Sequence, residues 1–176
     1  PIMGMIMSMI ALVVGIYMSD IMQLPKDAVI RREFGEPLIF QGIVHFFHSP
    51  IKDGYTINLS GLGWAGWFGC LITSLNLMPI GQLDGGHIVY SLIGNKQRIV
   101  GWLGVAGILI ISIFVYPWWF VWVILTFVLL KVGHPPIPKG DPLTIKEKIL
   151  GWGTMVLLFV TYIPIPIKIF IKKINQ

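Results

Sequence analysis

Between Asp53 and Asp141 the chain carries a single acidic residue, Asp84, and the side chains around it are overwhelmingly apolar. Apolar stretches of this length restrict the backbone severely. Hydrocarbon offers no water to backbone N–H and C=O groups, so only structures that pair those groups internally, helices or closed barrels, can cross it. The composition agrees: 55% of residues are hydrophobic and 12% are charged, against about 25% charged in an ordinary soluble domain, and the mean hydropathy is +0.79. The sequence therefore reads as an integral membrane protein in contact with a lipid bilayer. A carboxylate at the bilayer centre costs roughly 2.5–3.5 kcal/mol on insertion scales, so it is expected to bind a metal, carry protons or pair with a cation.

A helix needs about 20 apolar residues to cross the hydrocarbon core. Segments 1–19, 61–80, 99–115, 117–131 and 149–163 approach that length. The third and fourth form a hairpin at Tyr116-Pro117, and Pro164 and Pro166 stop the fifth, because proline lacks the helical donor and clashes with the preceding turn. Trp118, Trp119 and Trp122 suit an interfacial aromatic belt. The expected fold is an all-α polytopic membrane protein of about five transmembrane helices, with a short re-entrant or strand segment in the 37–60 loop. In that loop Pro37–His48 is apolar but too short to span, and Tyr55–Ser60 alternates apolar with polar after a Lys52-Asp53-Gly54 turn, the pattern of a short strand. No internal repeat is visible.

The formal charge of +5 does not point to nucleic acid, because the basic residues are scattered and form no run. They do not orient the chain either. On this span list seven basic residues fall on one side and six on the other, which leaves the positive-inside rule without a bias to act on. The lone Cys70 excludes an internal disulfide and reads as a small packing residue. Pro1 is not an initiator methionine, and Ile2–Met18 has neither the basic flank nor the cleavage site of a signal peptide. The chain is accordingly expected to be a fragment that begins inside a longer protein.

Asp84 sits in the run Asn76-Leu-Met-Pro79-Ile-Gly-Gln82-Leu83-Asp84-Gly85-Gly86-His87. Pro79 breaks a helix and Gly85-Gly86 let backbones approach closely. Non-helical backbone at membrane depth is tolerated where it lines a cavity or is buried in protein, which would face Asp84 toward a polar site with the amide of Asn76 nearby. The alternative is a helix end at the membrane surface, where Asp84 simply caps the helix that follows. His87, three residues on, falls on the same helix face and is expected either to support Asp84 from the side or to be an ordinary polar residue at the helix start.

The run Asn76-x-x-Pro79-x-x-x-Leu83-Asp84-Gly85-Gly86 resembles the second signature of the site-2 protease family, intramembrane zinc metalloproteases. Ala65-Gly66-Trp67, Gly133-His134-Pro135-Pro136 and the Pro164–Pro166 ending resemble a bacterial and plastid branch of that family, and the helix after Pro1 resembles the stretch following its first signature, His-Glu-x-x-His. The resemblance implies one Zn2+ held by two histidines of that first signature and by Asp84, with its glutamate as general base on the zinc-bound water. It implies Asn76 as a residue that orients the scissile peptide, with Pro79, Gly85 and Gly86 shaping the site. The implied substrates are transmembrane proteins, and the implied location is a multi-pass position in a prokaryotic inner membrane.

One departure is sharp. The chain contains no His-Glu-x-x-His; its nearest pair is His45-Phe-Phe-His48, with no glutamate between. These two read as interfacial histidines, His134 reads as a surface residue, and the catalytic residues are expected upstream of Pro1, so this stretch alone would be inactive. The 55–60 strand offers an edge on which an unwound substrate could pair, as proteases often hold extended chains. Two other classes stay open. A proton- or ion-coupled transporter also uses a broken helix and an intramembrane carboxylate, although a second acidic residue and a matching repeat are missing. A non-catalytic relative acting as a membrane scaffold would carry a substituted first signature.

Overall fold

The computed structural model describes residues 2–24, 30–125 and 142–171. The chain divides into two compact units, Ile2–Ile72 with Val160–Gln176, and Thr73–Phe159.

The first unit is organised around helix α1 (Ile2–Tyr17) and the start of α3 (Gly61–Asn76). Small residues bring the two backbones together. A Cβ placed on Gly15 would overlap the backbone of Gly63, one on Gly66 would overlap Leu12, and one on Gly69 would meet the Ser8 side chain. Glycines at every third position of α3 therefore form a groove for α1, the usual way apolar helices approach where the hydrophobic effect between them is weak. The C-terminal carbonyls of α1 have no partner within the helix and recruit side chains instead. The hydroxyls of Ser19 and Ser60 donate to the Gly15 carbonyl at 2.6 and 2.7 Å, and His48 Nε2 lies 2.8 Å from the Ile16 carbonyl. The Ser60 N–H donates to Ser19 Oγ at 2.9 Å, tying the entry of α3 to the exit of α1.

Two small antiparallel sheets complete this unit. Strand β1 (Asp20–Gln23) pairs with β3 (Tyr55–Asn58), with Asp20 opposite Asn58 and Gln23 opposite Tyr55. Strand β2 (Ile30–Phe34) pairs with β4 (Ile167–Ile171), with Ile30 opposite Ile171 and Phe34 opposite Ile167. Between β2 and β3 in the chain, α2 (Leu38–His48) is the short apolar helix of the 37–60 loop. Phe34 packs edge-on against Trp64 and Trp67, with ring centroids 4.4 and 5.8 Å away, and Trp67 Nε1 donates to the Gly35 carbonyl at 2.8 Å. The expected strand at 55–60 is present as β3. The all-α expectation needs amending to a mostly helical fold with two sheets, since β1, β2 and β4 were read as loop or chain end. Their pairing joins residues far apart in sequence, which local alternation does not reveal.

The second unit runs from the end of α3 through α4 (Asp84–Ile93), a single 3-10 turn (Gly94–Lys96), α5 (Gln97–Phe114), a 3-10 turn at Pro117–Trp119 and α6 (Phe120–Leu125) to α7 (Ile145–Thr161), most of which belongs here. The helical run Asp84–Phe114 is the one stretch among the described residues long and apolar enough to cross a membrane. The span expected at 99–115 thus extends back to Asp84. Gly94, at φ +61°, caps the end of α4 and opens the 3-10 turn to α5, a conformation that costs glycine little. Along α5 the buried positions Gln97, Gly101, Val105, Ile108 and Ser112 form one helical stripe. The second half of the expected 117–131 span, like His134, lies outside the described residues. Helix α7 starts with a reciprocal cap: Thr144 donates its N–H and its hydroxyl to Glu147 Oε2, both at 2.7 Å.

Candidate metal-ligand site

Helix α3 ends at Asn76, four residues short of the span expected at 61–80, and α4 begins at Asp84, so residues 77–83 form the break. The bonding pattern shows how the chain leaves one helix and enters the next. Leu77 N–H still reaches the Thr73 carbonyl at 2.9 Å, while Met78 N–H bonds Leu75 at 3.3 Å in a tightened last turn. Pro79 has no N–H to continue the ladder. Ile80 N–H bonds the Met78 carbonyl at 2.8 Å, Gly81 turns the chain at φ +53°, and Leu83 N–H bonds the Ile80 carbonyl at 3.1 Å. The bond from His87 N–H to Leu83, at 3.1 Å, opens α4. Leu77, Met78 and Ile80 are buried and anchor the turn.

The glycine pair explains why the turn and α4 can nest. A Cβ on Gly85 would overlap the Leu77 carbonyl, and one on Gly86 would overlap the Gly81 carbonyl and lie 3.0 Å from that of Ile80. Any side chain at either position would push α4 off the turn. From the other side, Gln97 Nε2 donates to the Pro79 carbonyl at 3.1 Å. Gln97 is not among the residues the sequence pattern marks for the site; its one signal is a polar residue heading the apolar stripe of α5.

The two ends of this turn carry residues expected at the site. Asn76 is the last residue of α3 and is exposed, Pro79 is half-buried, and Gly85 and Gly86 are buried. Asp84 is half-buried and is the first residue of α4, where the cap position belongs to Leu83 and carries no side-chain capping bond. Asp84 is therefore not the capping residue of its helix, though it lies at the positive end of the helix dipole, which favours a carboxylate. His87 is exposed, and its carbonyl accepts the Ser91 hydroxyl at 2.9 Å. His45 and His48 lie on α2 in the other unit. Among the described residues no three His, Cys, Asp or Glu side chains gather as a metal-binding group. The donor set fits zinc only in part: Asp84 offers a carboxylate of the kind zinc accepts, and a catalytic zinc needs three protein ligands.

A mostly helical, apolar chain with one helical run long and apolar enough to cross a membrane has the character of a membrane-embedded protein. The sequence pattern of peptidase family M50 matches residues 1–115, and the chain belongs to that family, the membrane-embedded site-2 proteases. Curated relatives extend the similarity further along the chain. The probable zinc metalloprotease EGY2, chloroplastic, of Arabidopsis thaliana is 29% identical over 172 residues, covering 94% of this chain and 30% of the relative. Its namesake in Oryza sativa subsp. indica is 28% identical over 168 residues, 90% of this chain and 30% of that one. The probable zinc metallopeptidase EGY3, chloroplastic, of Arabidopsis thaliana is 29% identical over 82 residues, 40% of this chain and 14% of that relative. The chain spans about 30% of the length of the EGY2 relatives. No solved structure gives a significant match.

Proposed function

We propose that the protein is an intramembrane zinc metalloendopeptidase that hydrolyses peptide bonds of transmembrane protein substrates, and that this chain contributes Asp84 as the third zinc ligand. The observation that carries the reading is the position of Asp84. In a chain of family M50 it stands at the first residue of α4, directly after a non-helical turn, and is half-buried. The relatives named as zinc metalloproteases add zinc to the reading. A catalytic zinc with three protein ligands lowers the pKa of its bound water to about 7 and polarises a carbonyl.

On this reading Asp84 holds the metal, and Asn76, at the opposite end of the same turn, hydrogen-bonds the scissile peptide from its exposed position. Pro79, Gly85 and Gly86 keep the turn open and α4 seated against it. His87 lies one helical turn from Asp84 and supports it from the side. The other two zinc ligands and the general base are those of the first signature, which residues 1–176 do not contain, and residues 1–176 form part of one peptidase domain with five membrane spans. The bacterial and plastid branch resemblance supports a multi-pass position in a prokaryotic inner membrane.

The deciding experiment uses the full-length protein, purified in detergent with its first signature intact. Asp84→Asn should abolish cleavage of a transmembrane substrate and lower the zinc bound per chain, while the protein stays folded. Normal cleavage by that variant would end the metal-ligand assignment.

A further inference from the structure

A backbone break inside apolar surroundings leaves carbonyls that must find donors elsewhere. The carbonyl of Pro79 finds one on another helix. Gln97 is the first residue of α5 and is 1% exposed, and its Nε2 donates to the Pro79 carbonyl at 3.1 Å. Two helical turns further along the same helix, Gly104 leaves room for the turn: a Cβ there would stand 3.1 Å from Ile80 Cγ1 and 3.8 Å from Pro79 Cγ. Helix α5 thus meets residues 79 and 80 with a hydrogen-bond donor and with a seat for two apolar side chains. The first turn of α4 rests in turn on the same segment, since Gly85 and Gly86 touch the carbonyls of Leu77, Ile80 and Gly81.

The chain of contacts runs from Gln97 to Pro79, from the turn to Gly85-Gly86, and so to Asp84. We propose that Gln97 is a positioning residue of the active site: by holding the Pro79 carbonyl it sets the turn whose two ends present Asn76 and Asp84. The proposal rests on the reading of Asp84 as a metal ligand. Gln97 does not touch substrate or metal; it acts through the backbone. A buried amide is an unusual choice at a helix start where any apolar side chain would fill the space, and the bond to Pro79 supplies the reason.

The test compares two variants of the full-length protein. Gln97→Met keeps length and volume and removes the donor. Gln97→Glu keeps the size of the side chain and, in its protonated form, an O–H donor for the Pro79 carbonyl. The readouts are kcat and KM on a transmembrane peptide substrate, zinc bound per chain, and amide hydrogen exchange of residues 77–86. For Gln97→Met the expected result is faster exchange of that segment and a fall in kcat of about 10–100-fold, the range seen when residues that orient metal ligands are lost, with KM little changed. Gln97→Glu should recover most of both.

Parental exchange and kcat in Gln97→Met would overturn the proposal, and so would equal damage in both variants, which would assign the effect to bulk. Should Gln97→Met fail to fold, Gln97→Glu decides alone: parental exchange and turnover support the donor, and fast exchange with lost turnover overturns it. Zinc content is measured on the same samples as exchange, so the two ideas separate. A loosened turn in Gln97→Met beside an indifferent Asp84→Asn removes only the metal reading, and a protected turn beside an inactive Asp84→Asn removes only this one.

Discussion

Gly85 lies so close to the carbonyl oxygen of Leu77 that a methyl group at residue 85 would overlap it. The neighbour is backbone and cannot rotate aside as a flexible side chain would, so Gly85→Ala must lift α4 from the turn. Overpacking of this kind costs about 1–3 kcal/mol. The expected outcome is a lower thermal midpoint in detergent together with weaker zinc binding by the full-length protein. Gly107→Ala is the matched control, because nothing lies within 4 Å of a Cβ there; in a helix interior alanine is favoured over glycine by up to about 1 kcal/mol. If both variants melt alike, the nesting of α4 on the turn does not hold the site.

Asn76 stands at the other end of the same turn and is exposed. Removing its amide should leave the fold and the metal alone and act only on the bound peptide. Asn76→Ala is therefore expected to keep parental zinc content and thermal midpoint while kcat/KM falls. Because zinc and turnover are measured on the same preparation, loss of zinc in this variant would show that the assignment to substrate is mistaken.

The sequence made the turn legible because its physics is local. Pro79 removes a helical donor and Gly85-Gly86 remove Cβ atoms, so a break between Asn76 and Asp84 could be read from spacing alone, and the helix break falls there. The β3 strand was readable for the same reason, through its own alternation. Gln97 was not legible, since its meaning depends on a carbonyl 18 residues away on another element. The pairings of β1 with β3 and of β2 with β4 join segments far apart in the chain, and short charged strands such as Ile30–Phe34 carry no mark of their partner. The span boundaries shifted for a related reason: the 3-10 turn Gly94–Lys96 links α4 to α5 directly, so the two join in one membrane-length helical stretch.

Strand β3 is a candidate rail for an unwound substrate, with β1 on one side and no second strand partner among the described residues. Added strands bind through main-chain hydrogen bonds of a well-formed edge, and a glycine-rich segment holds a strand poorly. Replacing Tyr55–Asn58 with an equal length of alternating glycine and serine should raise KM for a transmembrane substrate while bound zinc is unchanged. Ser60 must be kept, because its hydroxyl donates to the Gly15 carbonyl and holds the end of α1. Unchanged KM and kcat in that variant would dismiss the rail.

The start of α7 gives a pH dependence whose sign is fixed by one carboxylate. Glu147 Oε2 accepts the Thr144 hydroxyl and the Thr144 N–H, both at 2.7 Å, and Glu147 N–H lies 3.4 Å from Thr144 Oγ. The hydroxyl bond first, and the backbone bond after it, hold the Glu147 carboxyl below its usual value of 4.5. A carboxylate with a lowered folded-state pKa contributes stability that is fully present above the unfolded value and is lost as pH falls through the lower, folded one. The first turn of α7 should therefore hold at pH 7 and fray at acidic pH below the ordinary glutamate range. Amide exchange of residues 145–148, corrected for the intrinsic pH dependence of exchange, reads this directly. Glu147→Gln keeps an acceptor but cannot ionise, so its corrected exchange should vary less between pH 7 and the acidic limit. A parental protein whose first turn is equally protected at both pH values would remove the carboxylate from this account and leave the cap to Thr144 alone.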